Sequence, residues 1–275
     1  MAAPASLPSD ATSPPRAALP GVDLAAVGKK YGSGEKVTEA LRGVDLTLPE
    51  GEFVCLIGAS GCGKSTLLRI VAGFENATSG SVKVRGKTVE RPGPDRGVVF
   101  QDYGLFPWLT VEGNVAYGPK QRGRPREEVD RIVNRFVKTV GLDRFRDRYP
   151  HQLSGGMQQR VAIARVLAND PAVMLMDEPF GALDSLTRQN LQEELIRVWQ
   201  ELRPTVILVT HSVEEAVFLS DRVVVMGGGP SHAVPGHITK ILPIDLAHPR
   251  DVTSPQFNDL KRELLAAIHH PADAH

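Results

Sequence analysis

Gly58-Ala59-Ser60-Gly61-Cys62-Gly63-Lys64-Ser65-Thr66 decides the reading of this 275-residue chain, because it is a complete G-x-x-x-x-G-K-[ST] loop. Its flanks have the character such a loop needs. Glu52-Phe53-Val54-Cys55-Leu56-Ile57 is a mostly apolar, β-prone run, as expected of a buried parallel strand. Lys64 to Ala72 reads as helix, with Leu67, Leu68 and Val71 on one side. Strand, glycine loop and helix in that order form a phosphate cradle. The glycines let the backbone wrap closely around an anion, and the N–H groups of the helix start face it. Lys64 is expected to reach the β- and γ-phosphates of a nucleotide, and the Ser65 hydroxyl to ligate Mg²⁺.

A second phosphate-type sequence lies far downstream. Leu153-Ser154-Gly155-Gly156-Met157-Gln158 opens an amphipathic helix, with Ser154 and the N–H groups of Gly155 and Gly156 making an anion site at its start. Either sequence can hold a phosphate alone. Together they suggest one nucleotide gripped from two directions, by two copies of the chain.

Between and beyond these loops the chain alternates. Ser81 to Arg85 is β-rich, and Gly97-Val98-Val99-Phe100 is a further strand ending at Gln101. Phe106-Pro107-Trp108-Leu109 breaks the pattern. After Pro125, Val129, Ile132, Val133, Phe136, Val137 and Val140 form one apolar stripe at helical spacing, with Gly141 as the stop. Residues 102–160 therefore read as a helical insertion in an α/β domain. Ala172 to Met176 and Thr205 to Val209 are apolar strands, ending at Asp177-Glu178 and Thr210-His211; Leu191, Leu195, Val198, Trp199 and Leu202 mark the helix between them. Such alternation gives a parallel sheet with its ligand beyond the carboxyl ends of the strands, where Gln101, Asp177, Glu178 and His211 fall.

That edge defines a chemistry. Asp177, closing a buried strand, is the expected Mg²⁺ partner. Glu178 can aim at the γ-phosphate and polarise a water for in-line attack. His211 can hydrogen-bond the γ-phosphate or that water, and Gln101 can contact Mg²⁺ or the water through its amide. Cys62, beside a helix N-terminus, is expected to be a somewhat reactive thiol.

Composition bounds the alternatives. With 32 Lys and Arg against 32 Asp and Glu, no broad basic face argues for nucleic acid or an anionic membrane surface. No apolar run approaches the roughly 18 to 20 residues that span a bilayer. Only Cys55 and Cys62 are present, one in the strand and one in the loop, so a structural disulfide is not expected. Residues 1–20, rich in Ala, Pro and Ser, read as a disordered leader.

These motifs, in this order, resemble the ATP-binding-cassette (ABC) ATPases over about residues 22 to 230. Gly58 to Thr66 is similar to their Walker A loop, Val173 to Glu178 to Walker B with its following glutamate, and Leu153 to Arg160 to the family signature. Gln101 resembles the Q-loop, Ala182-Leu183-Asp184 the D-loop, His211 the switch histidine, and Tyr31 the aromatic that stacks on adenine. The resemblance implies an α/β fold of the P-loop NTPase type. It has a parallel-sheet RecA-like core, an N-terminal antiparallel β subdomain and the inserted α-helical subdomain. The ATPase domain is then expected over 21–235, with 236–275 a C-terminal tail carrying one helix.

It further implies ATP and Mg²⁺ as ligands, and a head-to-tail homodimer in which each signature (Ser154, Gly155, Gly156, Gln158) seals the nucleotide on the other copy's Gly58–Thr66 loop. As a transporter subunit the chain implies separate permease polypeptides, a periplasmic solute-binding protein acting indirectly, and a peripheral place on the cytoplasmic face of the plasma membrane. Phe106 and Trp108 would then anchor the permease's coupling helix, or else merely pack the insertion. Leu105 to Val111, Gly181 to Arg188, Val209 to Ala216 and Ile244 to Asp251 resemble importers of nitrate, sulfonate and taurine in particular, although Ala247 and His248 stand where those proteins often have Pro and Arg. A last helix follows Ser254-Pro255, with Phe257, Leu260, Leu264 and Ile268 on one face. Three other readings stand beside this one: an importer of another small solute; a soluble ABC ATPase of DNA repair or translation, which usually has two cassettes or a long coiled coil; and a P-loop kinase or other nucleotide enzyme, which has no use for Leu153 to Gln158.

Overall fold

The computed structural model describes residues 20–32, 37–181, 183–229 and 234–269. Of the expected leader only Pro20 is among them, and Ala182 of the D-loop-like segment lies outside them. The chain begins with strands β1 (Val22–Tyr31), β2 (Thr38–Leu48) and β3 (Phe53–Gly58), followed by helix α1 (Lys64–Ala72). Then come β4 (Ser79–Val84), β5 (Lys87–Thr88) and β6 (Arg96–Val99), and three helices, α2 (Val111–Gln121), α3 (Arg126–Thr139) and α4 (Gly155–Leu167). The last part runs β7 (Val173–Asp177), α5 (Ser185–Leu202), β8 (Thr205–Val209), α6 (Val213–Leu219), β9 (Arg222–Gly229), β10 (Val234–Pro243) and α7 (Pro255–His269).

Among the described residues these strands form one mixed sheet, in the order β5-β4-β1-β2-β10-β9-β3-β8-β7-β6. From β9 to β6 the neighbours are parallel, while β1, β2, β4 and β5 pair antiparallel. The central strands are apolar throughout because both of their faces are covered. Phe53, Cys55 and Ile57 of β3 join one core cluster, and Val54 and Leu56 the other. The same alternation runs through β7, where Met174 and Met176 face one way and Val173 and Leu175 the other. Helix α1 packs its Leu67, Leu68, Ile70 and Val71 into the second cluster, and α2 to α7 close the first.

The periodic stripe after Pro125 forms α3, with Val129, Val133, Phe136 and Val137 buried and Gly141, at φ +67°, turning the chain out of it. Helix α2 has no such stripe. It holds Gly113, Gly118 and Pro119, residues that weaken a helix. Packing overrides that composition: Thr110 caps the helix by accepting from Gly113 N at 3.1 Å, and Gly118 lies so close to α4's end that a Cβ there would meet Asn169 Oδ1 at 2.0 Å.

One boundary differs from the sequence reading. Residues 236–243, expected in the tail, form most of β10, which lies inside the sheet between β9 and β2. It is antiparallel to β9 and meets β2 in parallel through the pair Gly236 and Leu41. Helix α7 follows as expected, with Phe257 and Leu264 buried and Leu260 and Ile268 partly so.

Candidate nucleotide site

The site begins where β3 leaves the sheet. Gly63, at φ +96°, stands at the N-cap of α1 without a side-chain cap bond, so the first-turn N–H groups remain free to meet an anion. A Cβ on Gly63 would meet Leu41 Cδ2 at 2.4 Å, and one on Gly58 the Met226 carbonyl oxygen at 2.2 Å, so both positions exclude any side chain. Lys64 is buried and folds across the loop, donating to the carbonyl oxygens of Gly58 at 2.8 Å and Ala59 at 3.0 Å. A cavity of about 280 Å³ lies over the loop, lined by Ser60, Gly61, Gly63, Lys64, Ser65 and Thr66 together with Ala40, Glu178 and His211.

Cys62 departs from expectation. Its side chain is fully buried at 0 % exposure, with Sγ 3.7 Å from Lys64 Nζ, and its amide donates to Ala59 O at 3.3 Å. A thiol with no exposed surface offers an alkylating reagent no path, so the expected reactivity is withdrawn. Cys55 is likewise buried, which pushes its thiol pKa up, and both cysteines are free.

At the ends of β7 and β8 the acidic and histidine side chains converge. Ser65 Oγ donates to Asp177 Oδ1 at 3.1 Å. Burial pushes the Asp177 carboxyl up from its ordinary value, the Ser65 bond opposes this, and the neighbouring Glu178 charge adds to the rise. A hydroxyl and a carboxylate side by side are hard oxygen donors that suit Mg²⁺. Among the described residues no group of three or more His, Cys, Asp or Glu could hold a metal ion. Glu178 takes a left-handed backbone, φ +47°, with its amide donating to Val209 O at 3.0 Å. That turn swings its side chain to His211, whose Nε2 is 2.5 Å from Glu178 Oε1. Gln101 stands beside them: a Cβ on Gly181 would lie 3.8 Å from Gln101 Nε2 and 3.9 Å from Glu178 Oε2.

Tyr31 sits at the far end of the loop, half-exposed, with Thr66 within reach of its phenol. The phenol donates to Glu75 Oε2, which also pairs with Lys29 at 3.3 Å, and the Lys29 ammonium covers one ring face 4.8 Å from the centroid. Burial, then the Glu75 bond, raise the phenol's pKa.

The second phosphate-type turn stays apart. Ser154 caps α4 by accepting from Met157 N at 3.3 Å; Ser154 itself is exposed, Gly155 is half-buried, and Gly156 is buried against α5, where a Cβ would meet Thr187 Cγ2 at 2.6 Å. The Gln158 side chain is committed to the turn itself, its Nε2 donating to Pro150 O at 3.1 Å and Leu153 O at 3.2 Å. Residues 153–158 are absent from the lining of the loop cavity, so a single chain brings Gly58–Thr66, Glu178 and His211 together and leaves the Ser154 turn outside.

The segment after Gln101 rests on a scaffold that no motif marks. Asn114, fully buried, accepts from Phe106 N at 2.9 Å and donates to the carbonyls of Phe106, Leu109 and Thr110 at 3.0 to 3.2 Å. An Asn between Val111 and Val115 was the available signal. Arg165 of α4 donates to Gly104 O at 2.6 Å and Tyr103 O at 3.1 Å. Phe106 packs on Tyr117, ring centroids 4.4 Å apart, whereas Trp108 is 69 % exposed. Phe74, Phe100, Phe106 and Tyr117 line an open, mainly apolar groove of about 750 Å³.

Comparison with known proteins gives this geometry its class. Residues 41–181 match the family model described as ABC transporter. The chain is 49% identical to the bicarbonate transport ATP-binding protein CmpC of Synechococcus elongatus, over 85% of this chain but 35% of that protein. It is 45% identical to the nitrate import ATP-binding protein NrtD of the same organism, over 88% of this chain and 89% of that one. Identity to the aliphatic sulfonates import ATP-binding protein SsuB of Bacillus thuringiensis is 43%, over 90% and 96%. A dimeric ATP-binding cassette in a post-hydrolysis state with ADP and Pi superposes with a TM-score of 0.69 at 34% identity, covering 82% of this chain and 100% of that one. The chain belongs to the ABC transporter family. Within it, this is an ATP-binding subunit and an ATPase, with the fold of the P-loop ABC cassette.

Proposed function

We propose that the chain is the ATP-hydrolysing subunit of an importer for small oxoanions of the nitrate, bicarbonate or sulfonate kind. The cargo class follows the relatives' names, and bicarbonate widens the nitrate, sulfonate and taurine group read from the sequence. The single observation that carries the mechanism is Glu178 Oε1 set 2.5 Å from His211 Nε2 above an uncapped helix N-terminus.

In this reading the α1 N–H groups and Lys64 hold the β- and γ-phosphates, Lys64 exchanging its loop carbonyls for phosphate oxygens. Tyr31 stacks on adenine with its ring held by Glu75. Ser65 and Asp177, with Gln101, hold Mg²⁺, which when bound neutralises phosphate charge. Glu178 draws the proton of the attacking water, and His211 orients that carboxylate and the γ-phosphate. The Ser154–Gly156 turn of a second copy closes over the phosphates, excluding water from the site.

Permease subunits, as separate polypeptides, dock in the groove of Phe100, Phe106 and Tyr117, with exposed Trp108 beside Phe106, ring centroids 5.5 Å apart. A solute-binding protein then acts through the permease, and the ATPase sits peripherally on the cytoplasmic face of the membrane. Among the described residues no helix is long and apolar enough to cross a membrane. The ATPase unit extends from residue 21 through β10, with residues 102–160 as its helical subdomain.

Glu178→Gln tests the reading. The variant is expected to bind ATP as the parent does while hydrolysis falls about 10²- to 10⁴-fold, the usual worth of a general base. A variant that turns ATP over at the parent rate removes Glu178 from that role.

A further inference from the structure

Beside the Glu178–His211 pair lies a second buried acid that these roles leave unused. Glu215, 8 % exposed, is the third residue of α6, and its carboxylate looks back at the turn carrying His211. Thr210 Oγ1 donates to Glu215 Oε2 at 2.6 Å and accepts from Ser212 N at 3.0 Å. Ser212 Oγ in turn accepts from Glu215 N at 3.2 Å. His211 is thus held on both sides, at Thr210 and at Ser212, by a closed ring of bonds that ends on one carboxylate.

The other Glu215 oxygen faces the turn that follows Glu178. Arg188 Nε is 3.7 Å from Glu215 Oε1, and Arg188 donates through its terminal nitrogen to Leu183 O at 2.9 Å. That Nε is buried without a hydrogen-bond partner, so the carboxylate charge is what balances it there. Gln192 of α5, also buried, is near enough to favour the charged carboxylate. A cavity of about 270 Å³ runs between this pair and the catalytic one, lined by Glu178, His211, Arg188 and Glu215 among others. Burial raises the Glu215 pKa, and Thr210, Arg188 and Gln192 oppose the rise. A glutamine would keep the bond from Thr210 without that desolvation penalty, which leaves the charge toward Arg188 in need of a reason.

Building on the proposed roles of Glu178 and His211, we propose that Glu215 is a positioning residue for hydrolysis, holding the His211 turn through Thr210 and the turn after Glu178 through Arg188. One carboxylate then fixes the two catalytic side chains relative to each other. The catalytic step is sensitive to sub-ångström placement, whereas ATP affinity rests on the loop, which Glu215 does not touch.

Steady-state ATP hydrolysis by the full-length protein tests this, with Glu215→Gln, Arg188→Gln, their double variant and Thr210→Val, and His211→Ala as reference. We expect each single change to lower kcat about tenfold with KM for ATP within about twofold of the parent. The double variant should fall no further than the weaker single, because both remove one connection. If Glu215→Gln does not fold, Thr210→Val decides. Parent-like kcat in the folded variants, or losses that multiply in the double, overturns the inference while leaving the His211 reading intact, provided His211→Ala is inactive. Parent-like hydrolysis by His211→Ala overturns both.

Discussion

Asp177 ends β7 with its carboxyl partly buried, bonded to Ser65 and crowded by the Glu178 charge. Its raised pKa means that the folded chain binds this proton more tightly than the unfolded chain does. Stability from this group therefore falls as pH rises from the ordinary aspartate value, about 3.9, through the folded one. Neutral pH is the costly side. Asp177→Asn should accordingly raise Tm by a few degrees near about pH 7, with the advantage shrinking toward about pH 4. Thermal melts of both proteins across that range check it, and a constant difference at every pH would count against the account. Glu178 shows the same tension in its backbone, a non-glycine residue held at φ +47° so that its side chain can turn toward His211.

The elements differ in how openly the sequence announces them. Helices α1 and α3 were legible because a glycine loop or an apolar stripe marks each, and the strand-end residues Asp177, Glu178 and His211 followed from the alternation around them. Helix α2 was not, because Gly113, Gly118 and Pro119 hide it in the sequence while its Val111, Val115 and Ala116 are held by packing into the core. Nor was the place of β10, whose partners lie about two hundred residues apart in the chain, on β2 and β9. Arg250 lies in the segment 244–251 that resembles the importers, but nothing local announced that it is buried against α6. It is buried, and its guanidinium donates to Val217 O at 2.6 Å and Ser220 O at 2.8 Å at the end of α6, and to Leu246 O at 2.9 Å in its own segment. One side chain thus satisfies the open end of α6 and fastens residues 244–250 beneath it. Arg250→Ala should cost about 2–4 kcal/mol, since it strands several buried carbonyls. Urea unfolding gives the number, and a loss under about 0.5 kcal/mol, typical of surface changes, would remove Arg250 from this role.

At the scale of the molecule, the two phosphate-type turns do not share a cavity in one chain, and the superposed ABC cassette is a dimer. Ser154→Arg places a cation and a bulky side chain at the start of α4, where a partner's nucleotide would approach. Combined with Glu178→Gln, it should leave ATP binding unchanged but abolish the ATP-dependent dimer. Sedimentation with and without ATP checks this, and a dimer that persists argues for some other pairing. The Gly236–Leu41 pair that joins β10 to β2 bears on ancestry and engineering. Leu41 fills the space a side chain on Gly63 would need, and a Cβ on Gly236 would strike Cys62 O at 2.0 Å. Three distant segments are therefore cut to one another's shape around the loop. A chimera that borrows its first strands from another cassette must import a matching residue at position 41, and drift at any one of the three is tolerated only with compensation at the others.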